Sequence, residues 1–186
     1  HAGIATQMVV ERELAKAVEI YPKYAVAWSA LGRTYEARKE YEEARKAYQS
    51  ALAADSKLVP PYEGLYMIAV REANWKDVAD TTDTIIRLNP FDFPHAFYFN
   101  AIARLNLNDL PAAEKSCREF LKMDKQRRLP KASYVLGIIL AQKAEYGEAA
   151  QHLKSFLEAA PNAKEAETVR RQLAEVEKFA KATPQQ

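Results

Sequence analysis

The sequence predicts an all-α protein, a solenoid of antiparallel helix hairpins with about ten helices. Three observations predict this class. The chain of 186 residues is 48% apolar and 28% charged, with only five glycines, and abundant Ala, Glu, Lys, Leu and Arg lose little entropy in a helix. Apolar residues recur at spacings of three and four, as on one face of a helix. One pattern returns about every 35 residues, and such a period is typical of stacked repeats.

The repeat is clearest between residues 27–52 and 133–157. These segments match at an offset of 105 residues, which is three units of about 35. Two further copies lie between them, at 62–90 and 95–124, and prolines mark joints at positions 22, 90 and 161. The pairs that match between the first and last copies are Leu31-Gly32 with Leu136-Gly137, Tyr41 with Tyr146, Ala44 with Ala149, and Leu52 with Leu157.

Each copy predicts two helices that bury their apolar stripes against each other. We expect four such hairpins within residues 23–161, at about 24–58, 59–92, 93–126 and 129–161. In the first hairpin one stripe contains Trp28 and Leu31, and the other contains Tyr48 and Leu52. Leu52 and its counterpart Leu157 are therefore predicted in the hairpin cores. Gly32 and Gly137 predict close approach of two helices, because glycine inside a helix otherwise costs about 1 kcal/mol.

The two ends predict additional helices outside the four hairpins. Residues 1–22 carry Val10, Leu14 and Val18 ahead of a proline and predict the second helix of a preceding unit. Residues 162–186 predict a C-terminal capping helix followed by a frayed tail. The chain starts with His1 rather than Met, so we expect a piece of a longer protein.

The first hairpin is similar to the tetratricopeptide repeat family. The matching residues are Trp28, Leu31, Gly32, Tyr35, Ala44, Tyr48 and Ala51. The likeness extends over about residues 5–161, but Tyr66 and Thr82 depart from the pattern and the third copy slips by one residue around Asn100. This resemblance implies a right-handed α–α superhelix whose concave groove is formed by the first helix of each hairpin.

Carrying groove positions over from the family gives a set of candidate peptide-binding residues. Most of the set is aromatic or aliphatic, and it lacks the Lys and Asn residues with which chaperone-binding members hold a C-terminal carboxylate. We therefore expect recognition through apolar anchors of an extended segment or a helix. The candidates are Ser29, Arg33, Glu36, Glu63, Met67, Val70, Arg71, Phe97, Tyr98, Ile102, Tyr134, Ile138 and Gln142. The alternative for a short stack is that part of this set belongs to the core.

Other residues could suggest chemistry, but their patterns are incomplete. The sequence contains no phosphate-binding glycine loop, zinc-protease motif or Cys-x-x-Cys pair. We expect Cys117 to be a buried, inert thiol and the distant His95 and His152 to be structural or surface residues. Asp77, Asp80 and Asp83 fit a solvated helix start better than a cation site. The basic stretch at 122–131 is predicted to be a solvated loop or, alternatively, a grip for an acidic partner surface.

These observations predict a non-catalytic interaction module that binds a peptide, a partner protein or another domain of its own chain. No metal, cofactor or membrane insertion is predicted. The formal net charge of +2 with interleaved signs disfavours nucleic acid. Binding of nucleic acid by a helical repeat and an accessory role in an enzyme remain the alternatives. The sequence also resembles bacterial tetratricopeptide segments, some of which follow exported β-rich domains. This resemblance leans slightly toward an exported or periplasmic bacterial protein over a cytoplasmic one and leaves the localisation open.

Overall fold

The computed structural model describes the backbone of residues 2–182 and the side chains of residues 9–182. These residues form ten α-helices and no strands, so the predicted all-α class and helix number are confirmed. The predicted frayed tail falls on residues 183–186 and lies outside the described part of the chain. The helices are α1 Ala2–Ile20, α2 Ala25–Ala37, α3 Tyr41–Ala54, α4 Val59–Arg71, α5 Trp75–Leu88, α6 Pro94–Asn106, α7 Leu110–Met123, α8 Lys131–Gln142, α9 Tyr146–Ala159 and α10 Ala166–Ala182.

Local sequence explains where several helices begin. Proline stands in the first turn of α4, α6 and α7, where its missing N–H costs nothing and its fixed φ suits a helix. The side chains of Asn74 and Asp109 precede α5 and α7 and accept hydrogen bonds from the backbone N–H groups of Asp77 and Ala112. These caps satisfy N–H groups that have no partner within the helix.

A left-handed residue turns the chain between paired helices. Lys39, Ala73, Asn108 and Ala144 have φ values of 65°, 54°, 60° and 61°. They occupy equivalent places between α2 and α3, α4 and α5, α6 and α7, and α8 and α9. A single residue in this conformation stops one helix and lets the chain return antiparallel. None of these four turn residues is a glycine, so each turn has a side-chain-bearing residue in a strained left-handed conformation.

Residues 1–92 form one compact unit, unit 1, which contains α1 to α5. Within it α2 packs against α1, α3 and α4, and α4 packs against α5. Leu31 and Val18 belong to one buried cluster, and Tyr48 and Ile68 belong to another. Each helix thus buries an apolar stripe against its neighbours, as the repeat pattern predicts.

Residues 93–186 form a second compact unit, unit 2, which contains α6 to α10. One continuous cluster joins all five helices, from Ala101 on α6 through Leu136 and Phe156 to Val169 and Val176 on α10. The last two side chains lie on the apolar stripe predicted for the C-terminal helix. Burial of this stripe against α9 explains why α10 forms despite its many exposed charges.

The placement of three predicted core residues is corrected by the structure. Leu52 and Leu157 are only partly buried, because Tyr48 and Phe156 already fill the space between the helices. Val10 is 46% exposed. The third copy does shift by one residue, because α4 and α5 begin 34 residues after α2 and α3 whereas α6 and α7 begin 35 residues after α4 and α5. The additional residue lies in the loop before α6, so the register within the helix is kept.

Asn100 replaces a core leucine without shifting the helix. It occupies the place in α6 that Leu31 and Leu65 occupy in α2 and α4. Its side-chain oxygen accepts a hydrogen bond of 2.7 Å from the hydroxyl of Ser116 on α7. Asn100 is 2% exposed and Ser116 is 9% exposed. Because a buried polar group must be hydrogen-bonded, these two residues are tolerated together in the core.

Candidate functional site

A cleft of about 250 Å³ lies in unit 1 over the first helices of its two hairpins, α2 and α4. We call it the α2–α4 cleft. Four of the predicted groove residues meet here, and helix packing leaves each of them partly or fully exposed. The lining consists of Arg33, Glu36, Tyr48, Pro60, Glu63, Gly64, Tyr66 and Met67.

The floor of the α2–α4 cleft depends on two glycines. A Cβ atom added to Gly32 would lie 2.5 Å from the ring of Tyr48, and one added to Gly64 would lie 2.1 Å from it. The Tyr48 ring therefore fits between α2 and α4 only because neither glycine has a side chain. This arrangement confirms that Gly32 is a packing residue, and it explains why two glycines stand inside these helices.

The hydroxyl of Tyr48 connects this packed ring to a polar wall of the cleft. It donates a hydrogen bond of 2.7 Å to a carboxylate oxygen of Glu36. Burial and then the adjacent Glu36 raise the pKa of Tyr48, while Arg33 acts in the opposite direction. Tyr48 is thus held as a neutral donor, and Glu36 keeps its second oxygen for other interactions.

The opposite wall comes from α4. Burial and the nearby Glu63 raise the pKa of Tyr66, whose side chain is 4% exposed. Met67 is 37% exposed on the same helix. The α2–α4 cleft therefore combines an aromatic floor, a flexible thioether and charged walls. This combination suits recognition of a side chain, because it offers both apolar contact and hydrogen-bond partners.

The remaining predicted groove residues of unit 1 lie elsewhere. The guanidinium of Arg71 lies over the ring of Tyr41, 4.5 Å from its centroid, and Val70 is partly buried on α4. Ser29 is 3% exposed, and its hydroxyl has no hydrogen-bond partner among the described residues. The prediction that Ser29 faces an open groove is therefore corrected, because α2 packs against neighbours on this side.

The predicted groove residues of α6 are mostly buried. Phe97 and Tyr98 are each 9% exposed. The Tyr98 ring lies 5.6 Å from that of Phe120 and 5.3 Å from that of Phe99, measured between centroids, and burial raises the pKa of Tyr98 to about 12. This corrects their placement in an open groove, because large aromatic rings at these positions fill the core instead.

Four predicted residues of unit 2 keep some exposure. Tyr134 lies against Phe156 with ring centroids 5.5 Å apart. Ile102 and Ile138 are partly buried, and Gln142 is exposed at the end of α8. Their helices, α6 and α8, contact each other. A role for these residues in binding stays a prediction.

The single cysteine and two histidines form no catalytic arrangement in the described residues. Cys117 is fully buried, its thiol donates to the carbonyl of Ala132 at 3.3 Å, and burial raises its pKa to about 12. The prediction of a buried thiol is confirmed. His95 is exposed beside Phe120, and His152 lies 3.6 Å from Glu148. Because burial keeps the thiol of Cys117 protonated, Cys117 is a poor nucleophile.

Two of the three acidic residues of α5 are explained by helix contacts. Asp77 caps the helix start with Asn74, and Asp80 pairs with Lys76 at 2.7 Å. Within residues 9–182 no group of three metal-ligating side chains could hold a metal ion. Over the same described part of the chain, no helix combines the length and the hydropathy that crossing a membrane requires.

Four of the eight residues that line the α2–α4 cleft were not predicted from the sequence as binding residues. The repeat pattern places Tyr48 only in the hairpin core and Tyr66 only at an irregular position, and it assigns Pro60 and Gly64 to neither. One signal was available, because Gly32 and Gly64 lie at similar places in consecutive first helices. Two glycines facing one aromatic residue indicate a ring inserted between helices, and such a ring forms the floor of a cleft.

The fold is shared with several solved structures. YrrB, described as a TPR protein with an unusual peptide-binding site, is 19% identical over 90% of each chain, with a TM-score of 0.74. A tetratricopeptide repeat protein from Parabacteroides merdae is 16% identical over 96% of this chain and 70% of its own, with a TM-score of 0.76. The pilF protein of Pseudomonas aeruginosa is 20% identical over 97% and 82%, with a TM-score of 0.72.

Family models give the same assignment from sequence. A comparison with curated proteins found no match. Two models of the tetratricopeptide repeat match residues 25–58 and 100–164, which together are more than half of the chain. The first match coincides with α2, α3 and the loop after them. This chain belongs to the tetratricopeptide repeat family.

Proposed function

We propose that this chain is a protein-interaction module and that its α2–α4 cleft binds an extended peptide segment of a partner. One observation carries the proposal: Arg33, Glu36, Glu63 and Met67 converge on a single cleft although the packing pattern of the helices does not require them. Side chains that remain at one surface after the core is accounted for are candidates for binding. The partner is another protein or another domain of the same chain.

The family assignment supports the class of ligand. Tetratricopeptide repeat proteins generally act as non-catalytic scaffolds, and YrrB is described as having a peptide-binding site. The exposed thioether of Met67 and the partly exposed ring of Pro60 offer apolar contact to an anchor of the peptide. The charged groups of Arg33, Glu36 and Glu63 stand where they could pair with polar groups beside that anchor.

A displayed library of random peptides tests this proposal even though the partner is unidentified. The library is selected against the intact chain, and the dissociation constants of the enriched peptides are measured for wild type and Met67→Arg. We expect the substitution to weaken binding at least about tenfold, or roughly 1.4 kcal/mol, because a charged side chain would occupy the cleft. The melting temperature should stay unchanged, since Met67 is exposed.

Two further variants test whether the loss of peptide affinity is specific to the α2–α4 cleft. Gln49→Arg adds the same charge to the exposed surface of α3 and should leave peptide affinity unchanged. Ile138→Arg tests whether the first-helix face of unit 2 also contributes. Enriched peptides that bind Met67→Arg as tightly as wild type, or that are weakened equally by Gln49→Arg, would place binding outside the α2–α4 cleft.

A further inference from the structure

A second cleft, of about 300 Å³, lies in unit 2 beside the loop of residues 124–130. We call it the loop cleft. Its apolar surface comes from Pro94 in the first turn of α6, Met123 at the end of α7 and Leu129 in the loop, and these residues lie around the buried ring of Phe120. The loop cleft is built from elements other than those of the α2–α4 cleft, and the predicted groove residues do not line it.

The loop that borders this cleft is held in place at both ends. The carboxylate of Asp124 accepts hydrogen bonds of 2.9 Å from the backbone N–H groups of Arg128 and Leu129. Arg127 adopts a left-handed backbone conformation with φ of 49°, and its guanidinium donates to the hydroxyl of Ser155 on α9 at 2.9 Å. These contacts fix the position of the loop, and with it the backbone that carries Arg128.

Arg128 places a charged guanidinium at the mouth of the loop cleft. Elsewhere in the basic stretch, Lys122 pairs with Glu119 at 2.6 Å and Lys131 pairs with Glu165 at 2.7 Å. The exposed side chain of Arg128 has no such partner among the described residues. A charged donor held beside an apolar cleft without a carboxylate partner has the properties of a binding residue.

Two neighbouring features also favour an anion at this mouth. His95 is exposed in the first turn of α6, with its ring 6.0 Å from that of Phe120. The cleft lies against the start of this 13-residue helix, where the helix dipole favours negative charge. Asp124 is the only carboxylate among the lining residues, and both of its oxygens already accept backbone N–H groups.

We propose that the loop cleft binds a protein segment in which an aromatic side chain stands next to a carboxylate. The aromatic ring packs on Met123 and Leu129, and the carboxylate pairs with the guanidinium of Arg128. The guanidinium of Arg128 complements the carboxylate of such a ligand, and the apolar lining complements its ring. This second site gives the exposed guanidinium of Arg128 a partner outside the described residues.

Methionine methyl groups provide a direct test on the intact chain. The sequence has three methionines; Met123 lines the loop cleft and Met67 lines the α2–α4 cleft. The chain is labelled with ¹³C at the methionine methyl groups and titrated with acetylated, amidated hexapeptides containing Phe-Asp, Phe-Asn or Ala-Asp in a Gly-Ser background. We expect Phe-Asp to shift the Met123 signal with a Kd on the order of 1 mM.

The matched peptides and variants separate the contributions of the aromatic ring, the carboxylate and Arg128 to binding. Phe-Asn and Ala-Asp should each bind at least about fivefold more weakly, because each lacks one half of the ligand. Arg128→Gln should weaken Phe-Asp to the level of Phe-Asn without changing the melting temperature. Lys125→Gln removes the same charge from the same loop but does not line the loop cleft, and it should leave the Kd within about twofold.

Several outcomes would overturn the proposal. These are equal Met123 shifts from Phe-Asp and Phe-Asn, equal losses from Arg128→Gln and Lys125→Gln, and no Met123 shift at about 10 mM peptide, roughly ten times the expected Kd. Binding of free 3-phenylpropionate without binding of the Phe-Asp peptide would identify a small-molecule site and overturn the assignment to a protein segment. A shift confined to Met67 would support the α2–α4 cleft while excluding the loop cleft.

Discussion

Tyr48 is the residue on which both the packing of unit 1 and its proposed binding surface depend. Its ring lies between Gly32 and Gly64 on adjacent helices, and its hydroxyl donates to Glu36. The ring is fully buried, yet its polar end reaches the wall of the α2–α4 cleft. One side chain therefore sets the separation of α2 and α4 and also orients a carboxylate that we expect to contact the ligand.

Gly64→Ala is expected to destabilise the protein. The new Cβ would lie 2.1 Å from a ring that Gly32 holds from the other side, so the helices would have to separate. We expect a loss of about 1–3 kcal/mol in the free energy of unfolding, the usual cost of overpacking a core. Chemical denaturation of wild type and variant measures this loss.

Gly147→Ala is the matched control for this substitution. No atom lies within 4 Å of a Cβ added at Gly147 on α9, so alanine meets no steric conflict there. Its better helix propensity should increase stability by up to about 1 kcal/mol. If Gly64→Ala and Gly147→Ala have the same effect, the helix approach at Tyr48 does not limit the packing.

At the scale of elements, a network of ion pairs joins the second helices of unit 2. Arg118 on α7 donates to Glu114 one turn earlier at 2.6 Å and to both carboxylate oxygens of Glu148 on α9 at 2.8 and 3.0 Å. The ammonium of Lys143, at the end of α8, also contacts Glu114. Lys143 and Arg118 hold the pKa of Glu114 below its usual range, and Arg118 does the same for Glu148.

The network predicts a specific loss of stability in acid. A carboxylate whose pKa is lower in the folded state stabilises the protein above its unfolded pKa, and this contribution is lost as the pH falls through the folded pKa. Glu114→Gln should therefore lower the melting temperature at neutral pH, with the difference from wild type shrinking below about pH 4.5. Thermal melts between about pH 7 and pH 3 test this.

The exposed Glu158 on the same helix as Glu148 provides the control. Glu158→Gln should change the melting temperature little at any of these pH values, since isolated surface charges contribute little. A difference between wild type and Glu114→Gln that stays constant down to about pH 3 would show that the loss comes from packing rather than from charge.

At the scale of the whole molecule, the helices within each unit mainly contact their neighbours in sequence. In unit 2, α10 packs on α9, α9 on α8 and α8 on α7. Stability in such a stack is close to a sum of local terms, one for each repeat and each shared surface. A defect in one contact should therefore loosen the adjacent helices most.

Val169→Ala tests this locality at the contact between α10 and α9. Val169 is fully buried, and its truncation should cost about 2 kcal/mol. Hydrogen exchange is expected to show reduced amide protection in α10 and α9, whereas α6 keeps its protection. A uniform loss from α6 to α10 would instead mean that unit 2 opens as one cooperative body.

The amount that could be predicted from sequence differs between fold and site. The period of about 35 residues and the apolar spacing predict the fold class and helix number correctly, because such patterns encode which faces are buried. The groove predictions were less accurate. Arg33, Glu36, Glu63 and Met67 do line one cleft, whereas Ser29, Phe97 and Tyr98 are buried.

The sequence by itself therefore determined the helical class, the repeat and the family of this chain. Each of these follows from the periodic spacing of residues along the chain, which can be read from the sequence alone. The tertiary structure decided which residues share a cleft, as with Met67 and Glu36 on different helices, and which residues stand at its mouth, as with Arg128 in the loop cleft. Such contacts depend on how side chains from separate helices meet, and spacing along the chain does not specify the distance between those side chains.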